Sequence, residues 1–138
     1  MTQSVPPLFP MPRKDLPNVL PLEGEIDLHV SPAVAASLNT MIRKKPKQLV
    51  VDLSRVTYID SAGLAAFIEG MQNVEAYGGK FALAGLQETV RSIFEISRLD
   101  QVFRIFPDVD AALAASWNPF LTSEASELGK FARWTIRM

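Results

Sequence analysis

At 138 residues, 48% hydrophobic and 21% charged, the chain is sized for one domain with a single core and is too ordinary in composition for a disordered or fibrous protein. Lys and Arg total 14 against 15 Asp and Glu, a formal net charge of −1, so the basic excess that drives phosphate-backbone binding is missing and no direct nucleic-acid partner is expected. Cysteine is absent, which removes disulfides, thiolate metal sites and thiol nucleophiles, and no apolar run approaches the ~20 residues of a membrane span, so a cytoplasmic protein without membrane insertion is expected.

Residues 1–17 carry prolines at 6, 7, 10, 12 and 17 and read as an extended arm, because proline removes a backbone donor and resists both helix and central strand. Leu8, Phe9 and Met11 give this arm apolar surface for an edge strand, and it lacks the continuous apolar core of a secretion signal. Asn18-Val19-Leu20-Pro21-Leu22 predicts a short strand. In Gly24-Glu25-Ile26-Asp27-Leu28-His29 the polar residues alternate with Ile26 and Leu28, which predicts one wet face. Ser31 and Pro32 then mark a helix entry, Ser31 as cap and Pro32 at the first helical position, with Val34, Leu38, Met41 and Ile42 as the apolar stripe. The run Arg43-Lys44-Lys45-Pro46-Lys47 needs no anionic partner, since cations in a last helical turn complement the helix dipole.

Residues 48–53 form a continuous Val- and Leu-rich run, too short for a typical helix, and predict a central strand covered on both faces. A turn over 54–59 leads to Asp60-Ser61-Ala62-Gly63-Leu64, the start of a helix over 61–77 that carries Leu64, Phe67, Ile68, Met71 and Val74 at helical spacing. Gly78-Gly79 ends it with a left-handed cap, and residues 80–84 resume as a strand. A helix over 87–97, a strand over 102–106 and a short helix from Pro107-Asp108 to Ala115 complete the pattern. Strands alternating with helices predict an α/β domain with a largely parallel sheet over 18–116. The extension 117–138 contains Ser123 as a candidate cap and Leu128, Phe131 and Ala132 on one side, a candidate amphipathic helix whose alternatives are docking on its own domain, pairing two copies into a homodimer, or disorder.

The chemistry concentrates at Ser61. A helix start offers unpaired N–H groups and the positive end of the macrodipole, so an oxyanion or a phosphate ester on Ser61 would be stabilised there. The plainer alternative is that Asp60 or Ser61 simply caps the helix. A hydrolase triad of Ser61, His29 and Asp27 or Asp60 lacks the glycine that a nucleophile elbow needs two residues before the serine, where this chain has Ile59. Glu25, Asp27 and His29 alternate in a way that invites a metal, yet three such residues on a polar segment read more simply as a solvated face. Gly78-Gly79-Lys80 follows a helix and precedes a strand, the reverse of a phosphate-cradling loop. No catalytic residue, metal or cofactor is assigned, and no enzymatic activity is expected.

Together, Gly24-Glu25-Ile26-Asp27, the apolar run 49–53 followed by Tyr58-Ile59-Asp60-Ser61-Ala62-Gly63-Leu64, Gly78-Gly79 before a strand, and Phe94-Glu95-Ile96-Ser97-Arg98-Leu99 resemble the STAS domain family of bacterial anti-sigma-factor antagonists. The resemblance runs from Asn18 to Ala115. It implies a small mixed sheet of four to five strands flanked by about four helices, the first strand coming from the Pro-rich arm. It further implies that Ser61 is phosphorylated by an anti-sigma factor with serine kinase activity, or a related switch kinase. Asp60, Ala62, Gly63 and Leu64 would form the recognition loop around it, and Asp27 the acidic neighbour. The unphosphorylated form would bind that partner and the phosphorylated form would be released. STAS-like proteins also serve without phosphoserine as accessory subunits on the cytoplasmic ATPase of lipid-transport ABC systems, and this is the alternative.

Overall fold

The computed structural model describes residues 18–117. Along them run β1 Val19–Ile26, α1 Ser31–Ile42, β2 Gln48–Ile59, α2 Ser61–Ala76, β3 Lys80–Ala84, α3 Glu88–Ile96, a 3-10 turn at Leu99–Gln101, β4 Arg104–Phe106 and α4 Val109–Trp117. The described strands lie in the order β1-β2-β3-β4, each parallel to its neighbour. The arm of 1–17, with the edge strand expected of it, and the residues beyond 117, with their expected docking or self-associating helix, lie outside the described residues.

A sheet that grows in one direction through right-handed crossovers receives each crossover helix on the same face. Accordingly Val34 and Leu38 of α1, Phe67, Met71 and Val74 of α2, and Val90 and Phe94 of α3 share one core with Leu49, Val51 and Leu53 of β2 and Phe81 and Leu83 of β3. The Phe103 ring packs edge-on to Phe94 with centroids 5.7 Å apart and tilted against Phe81 at 6.0 Å. Each such fully buried side chain contributes roughly 1.5–3 kcal/mol. On the opposite face α4 buries Ala112 against Val19, Val50, Ala82 and Ala84, whose small side chains let the helix lie close. β2 is thus covered on both faces, as its continuous apolar run implies.

β2 is longer than the sequence pattern suggests. It continues through 54–59, expected as a turn, and runs directly into α2. Two irregularities in its pairing with β1, between Pro21 and Glu23 and between Gly24 and Glu25, insert extra residues on the β2 side. Leu53, Val56 and Ile59 therefore all point into the core at a spacing of three rather than two. Pairing with β3 ends at Asp52 opposite Ala84. The freed edge is met by side chains at the start of α3: Gln87 Nε2 donates to the Ser54 carbonyl at 2.9 Å and Thr89 Oγ1 to the Thr57 carbonyl at 3.2 Å.

β1 is one strand through Pro21, and it stops at Ile26. Gly24 takes φ +83° at the second irregularity, a conformation that favours glycine. At α1 the expected cap is replaced: Val30 is the N-cap residue, Ser31 is buried inside the helix start, and Asp27 supplies the acceptors. The cations from Arg43 onward fall just past the helix end at Ile42 rather than in its last turn, with Lys45 in the left-handed region at φ 51°. The end of α2 is as expected. Gly78 adopts φ +90°, and the Gly79 N–H donates to the Val74 carbonyl at 2.9 Å.

Candidate functional site

The C-terminal ends of β1 and β2 feed the starts of α1 and α2, and one side chain ties the two junctions together. Asp60 is the N-cap of α2, in extended conformation. The N–H groups of Ala62 and Gly63 donate to its Oδ1 at 2.9 and 3.2 Å. Its Oδ2 accepts the N–H of Leu28, from the turn after β1, at 3.1 Å. Its own N–H donates to the Ile26 carbonyl at 3.1 Å, continuing the β1–β2 ladder to the last residue before the helix. The carboxylate thus uses both oxygens, and two segments 32 residues apart are fixed to each other.

Gly63 is buried at the point where α2 comes closest to the strand ends. A Cβ there would sit 2.7 Å from Ile59 Cγ1 and 2.9 Å from both the Cγ2 and the carbonyl oxygen of Ile26. Only glycine admits this approach. Ala62 and Leu64 are half-buried, and Leu64 packs against the main core. Ser61, the first residue of α2, is exposed, and its hydroxyl makes no hydrogen bond among the described residues. The capping role therefore falls to Asp60, and the Ser61 oxygen is left free.

This geometry changes one expectation. The N–H groups of Ala62 and Gly63 are already held by Asp60, and that of Leu64 donates to the Asp60 carbonyl at 3.0 Å. An anion on Ser61 would find these donors occupied and a carboxylate beside it, so the helix start does not absorb the charge as its bare N–H groups would.

Asp27 closes the turn into α1. His29 and Val30 donate their N–H groups to its Oδ1 at 3.0 and 3.2 Å, and Val30 and Ser31 donate to its carbonyl at 3.0 and 2.8 Å. Because β1 ends at Ile26, Glu25, Asp27 and His29 do not share a strand face. His29 Nδ1 lies 4.0 Å from Asp27 Oδ2 with its side chain 91% exposed, a pairing that solvent screens almost completely. The same break reverses the expected phase of Leu28. Its side chain is 68% exposed instead of following Ile26 inward, and Val30 beside it is also exposed. The long-range bond from Leu28 to Asp60 has no signal in the sequence.

The described residues thus form a parallel α/β domain whose β1 and β2 ends present the Ser61 hydroxyl beside a braced turn, and among them no cluster of His, Cys, Asp or Glu is suited to a metal. The chain matches the STAS domain over residues 9–112, and it belongs to that family. It is 32% identical over 82 residues to the anti-sigma-B factor antagonist of Listeria monocytogenes, covering 59% of this chain and 72% of the relative. A crystal structure of an anti-sigma factor antagonist from Mycobacterium paratuberculosis superposes with a TM-score of 0.67 at 28% identity, over 72% of this chain and 85% of that one. The Bacillus cell fate determinant SpoIIAA in its phosphorylated form superposes with a TM-score of 0.55 at 25% identity, over 70% and 86% of the two chains. No helix among the described residues is long and apolar enough to cross a membrane.

Proposed function

We propose that the protein is a cytoplasmic anti-sigma-factor antagonist that binds an anti-sigma factor with serine kinase activity and is released when that kinase phosphorylates Ser61. The observation that carries this reading is the exposed, unbonded Ser61 hydroxyl at the first position of a helix whose cap is supplied by another residue. A hydroxyl engaged in capping would have to break its bonds to react, whereas this one is available to a visiting active site. The names of the relatives support the same reading, as does the existence of a phosphorylated form of the similar SpoIIAA.

The kinase would transfer the terminal phosphoryl group of ATP to Ser61 Oγ, with ADP as the leaving group and the hydroxyl proton passing to a base of the kinase. The product gains about −1.5 to −2 charges at neutral pH. Since Asp60 occupies the nearby N–H groups, that charge is projected outward, toward the surface that a partner must cover and toward the nucleotide it still holds. Repulsion then acts on binding, while the buried contacts of the fold are untouched. Asp60 and Gly63 set the position of Ser61, Asp27 sets the adjoining turn, and Ala62 and Leu64 contribute their exposed parts to the contact.

The test is binding of the full chain to the purified anti-sigma factor kinases of the native host by titration calorimetry. Ser61→Ala is expected to bind constitutively and Ser61→Asp to bind more weakly. Equal affinities for the two variants would refute the switch. Incubation with the kinase and ATP is expected to add one phosphoryl group, mapped to Ser61 by mass spectrometry.

A further inference from the structure

Leu28 is out of place for a side chain with no task. A single exposed leucine is ordinary on a protein surface, and its exposure alone says little. Here the backbone is over-determined. The Leu28 N–H donates to Asp60 Oδ2 at 3.1 Å and its carbonyl accepts from Ser31 Oγ at 3.4 Å. The next two N–H groups donate to Asp27 Oδ1. The result is a rigid turn that holds a leucine 68% exposed, with Val30 exposed beside it. An apolar group that is already immobilised loses little backbone entropy on docking, which is the property of an anchor residue.

The position of the anchor is set by Asp60, the same side chain that caps the helix carrying Ser61. The turn that carries Leu28 and the helix start that carries Ser61 are therefore joined through one carboxylate. The charge of this region is one-sided. Residues 18–42 contain Glu23, Glu25 and Asp27 and no Lys or Arg, and residues 56–79 contain Asp60, Glu69 and Glu75 and no Lys or Arg. Arg55, between these two stretches in the sequence, lies 3.9 Å from Glu23.

We propose that Leu28 is the apolar anchor of the partner interface, entering a hydrophobic pocket on the anti-sigma factor whose rim carries Lys or Arg opposite Glu25 and Asp27. This rests on the reading of Ser61 given above and assigns the binding energy and the switch to different residues. Leu28 supplies affinity in both forms of the protein, and Ser61 decides whether the neighbouring contact is tolerated. An anchor in a desolvated pocket ringed by weak polar contacts is the usual distribution of energy in such interfaces.

The experiment is titration calorimetry of the full chain against the purified anti-sigma factor kinases of the native host, with wild type, Leu28→Ala, Leu28→Lys, Ile96→Ala and Ser61→Asp. Ile96 is an equally apolar exposed residue at the end of α3 and serves as the control. Leu28→Ala is expected to weaken binding roughly 10- to 100-fold. Leu28→Lys is expected to weaken it further, because it brings a cation to a cationic rim, and Ile96→Ala to stay within about twofold. Unchanged thermal unfolding of the Leu28 variants excludes loss of fold as the cause. If wild type binds, Ser61→Asp binds weakly and both Leu28 variants bind like wild type, the anchor is refuted and the phosphorylation switch stands. Tighter binding by Leu28→Lys would refute the cationic rim and with it the proposed pocket. An equal loss in Ile96→Ala would show that exposed apolar area in general, and not Leu28, supplies the affinity. No binding by wild type to any of these kinases would overturn the functional reading and the anchor together.

Discussion

Replacing Asp60 by Asn tests the central feature of the site, one carboxylate serving two segments. The substitution keeps the size of the side chain and one acceptor oxygen, and turns the other oxygen into an NH2 group, which only donates. In the wild type Oδ1 takes two N–H groups of α2 and Oδ2 takes the N–H of Leu28. The amide serves one side or the other. With its oxygen on α2 it sets NH2 against the Leu28 N–H, and flipping it exchanges the problem. Losing one hydrogen bond costs about 0.5–1.5 kcal/mol, and losing a negative charge at a helix start costs about 0.3–1 kcal/mol. The Leu28 bond is solvent-exposed, which places it at the lower end. Asp60→Asn is therefore expected to lose about 1–2 kcal/mol, and Asp60→Ala, which also forfeits the cap, about 2–3 kcal/mol. Urea denaturation followed by circular dichroism measures the loss, and amide hydrogen exchange at Leu28 reports the broken tie. If Asp60→Asn stays within about 0.5 kcal/mol of wild type, the range of ordinary surface changes, and Leu28 exchanges as slowly as before, the bridging role is refuted.

Gly63→Ala is expected to destabilise by about 1–3 kcal/mol, because the added Cβ meets the carbonyl of Ile26 as well as two side chains, and a backbone atom cannot rotate away. Helix propensity favours alanine by up to about 1 kcal/mol, so an unchanged or raised Tm would show that the first turn of α2 moves freely. Tyr77→Phe removes the hydrogen bond that the phenol donates to the Pro46 carbonyl at 2.8 Å, with an expected loss of about 0.5–1.5 kcal/mol at neutral pH. Burial raises the Tyr77 pKa above 10.0, so the neutral phenol is the form favoured by folding. Its contribution is fully present below the unfolded pKa and is lost as pH rises through the folded value. The stability gap between wild type and Tyr77→Phe should hold below pH 10.0 and narrow as pH rises above it, and a gap that widens in urea titrations would contradict the sign.

The alternation of strands and helices, the start of α2 at Ser61 and the left-handed cap at Gly78 were legible in the residues because each depends on neighbours a few positions apart. Apolar spacing, capping side chains and the conformational range of glycine are local properties. The extent of β2 was hidden by its irregular pairing with β1, which makes Leu53, Val56 and Ile59 inward-facing at a spacing that no strand pattern contains. The cap of α1 was misplaced for a related reason: Asp27, four residues before Ser31, folds back over the turn and takes the donors first.

Local order thus determined which residue opens the second helix and that it is a serine, along with the covalent chemistry a serine allows. The structure decided between the two candidate caps: Asp60 takes the Ala62 and Gly63 N–H groups, and the Ser61 hydroxyl makes no hydrogen bond among the described residues. It also decided that Gly63 must be glycine, because two strand ends converge on it, and that Leu28 faces solvent, because β1 stops at Ile26. The close approach of Gly63 to Ile26 and the tie of Leu28 to Asp60 bring together atoms from segments about thirty residues or more apart, a distance over which pattern along a chain carries no information about contact.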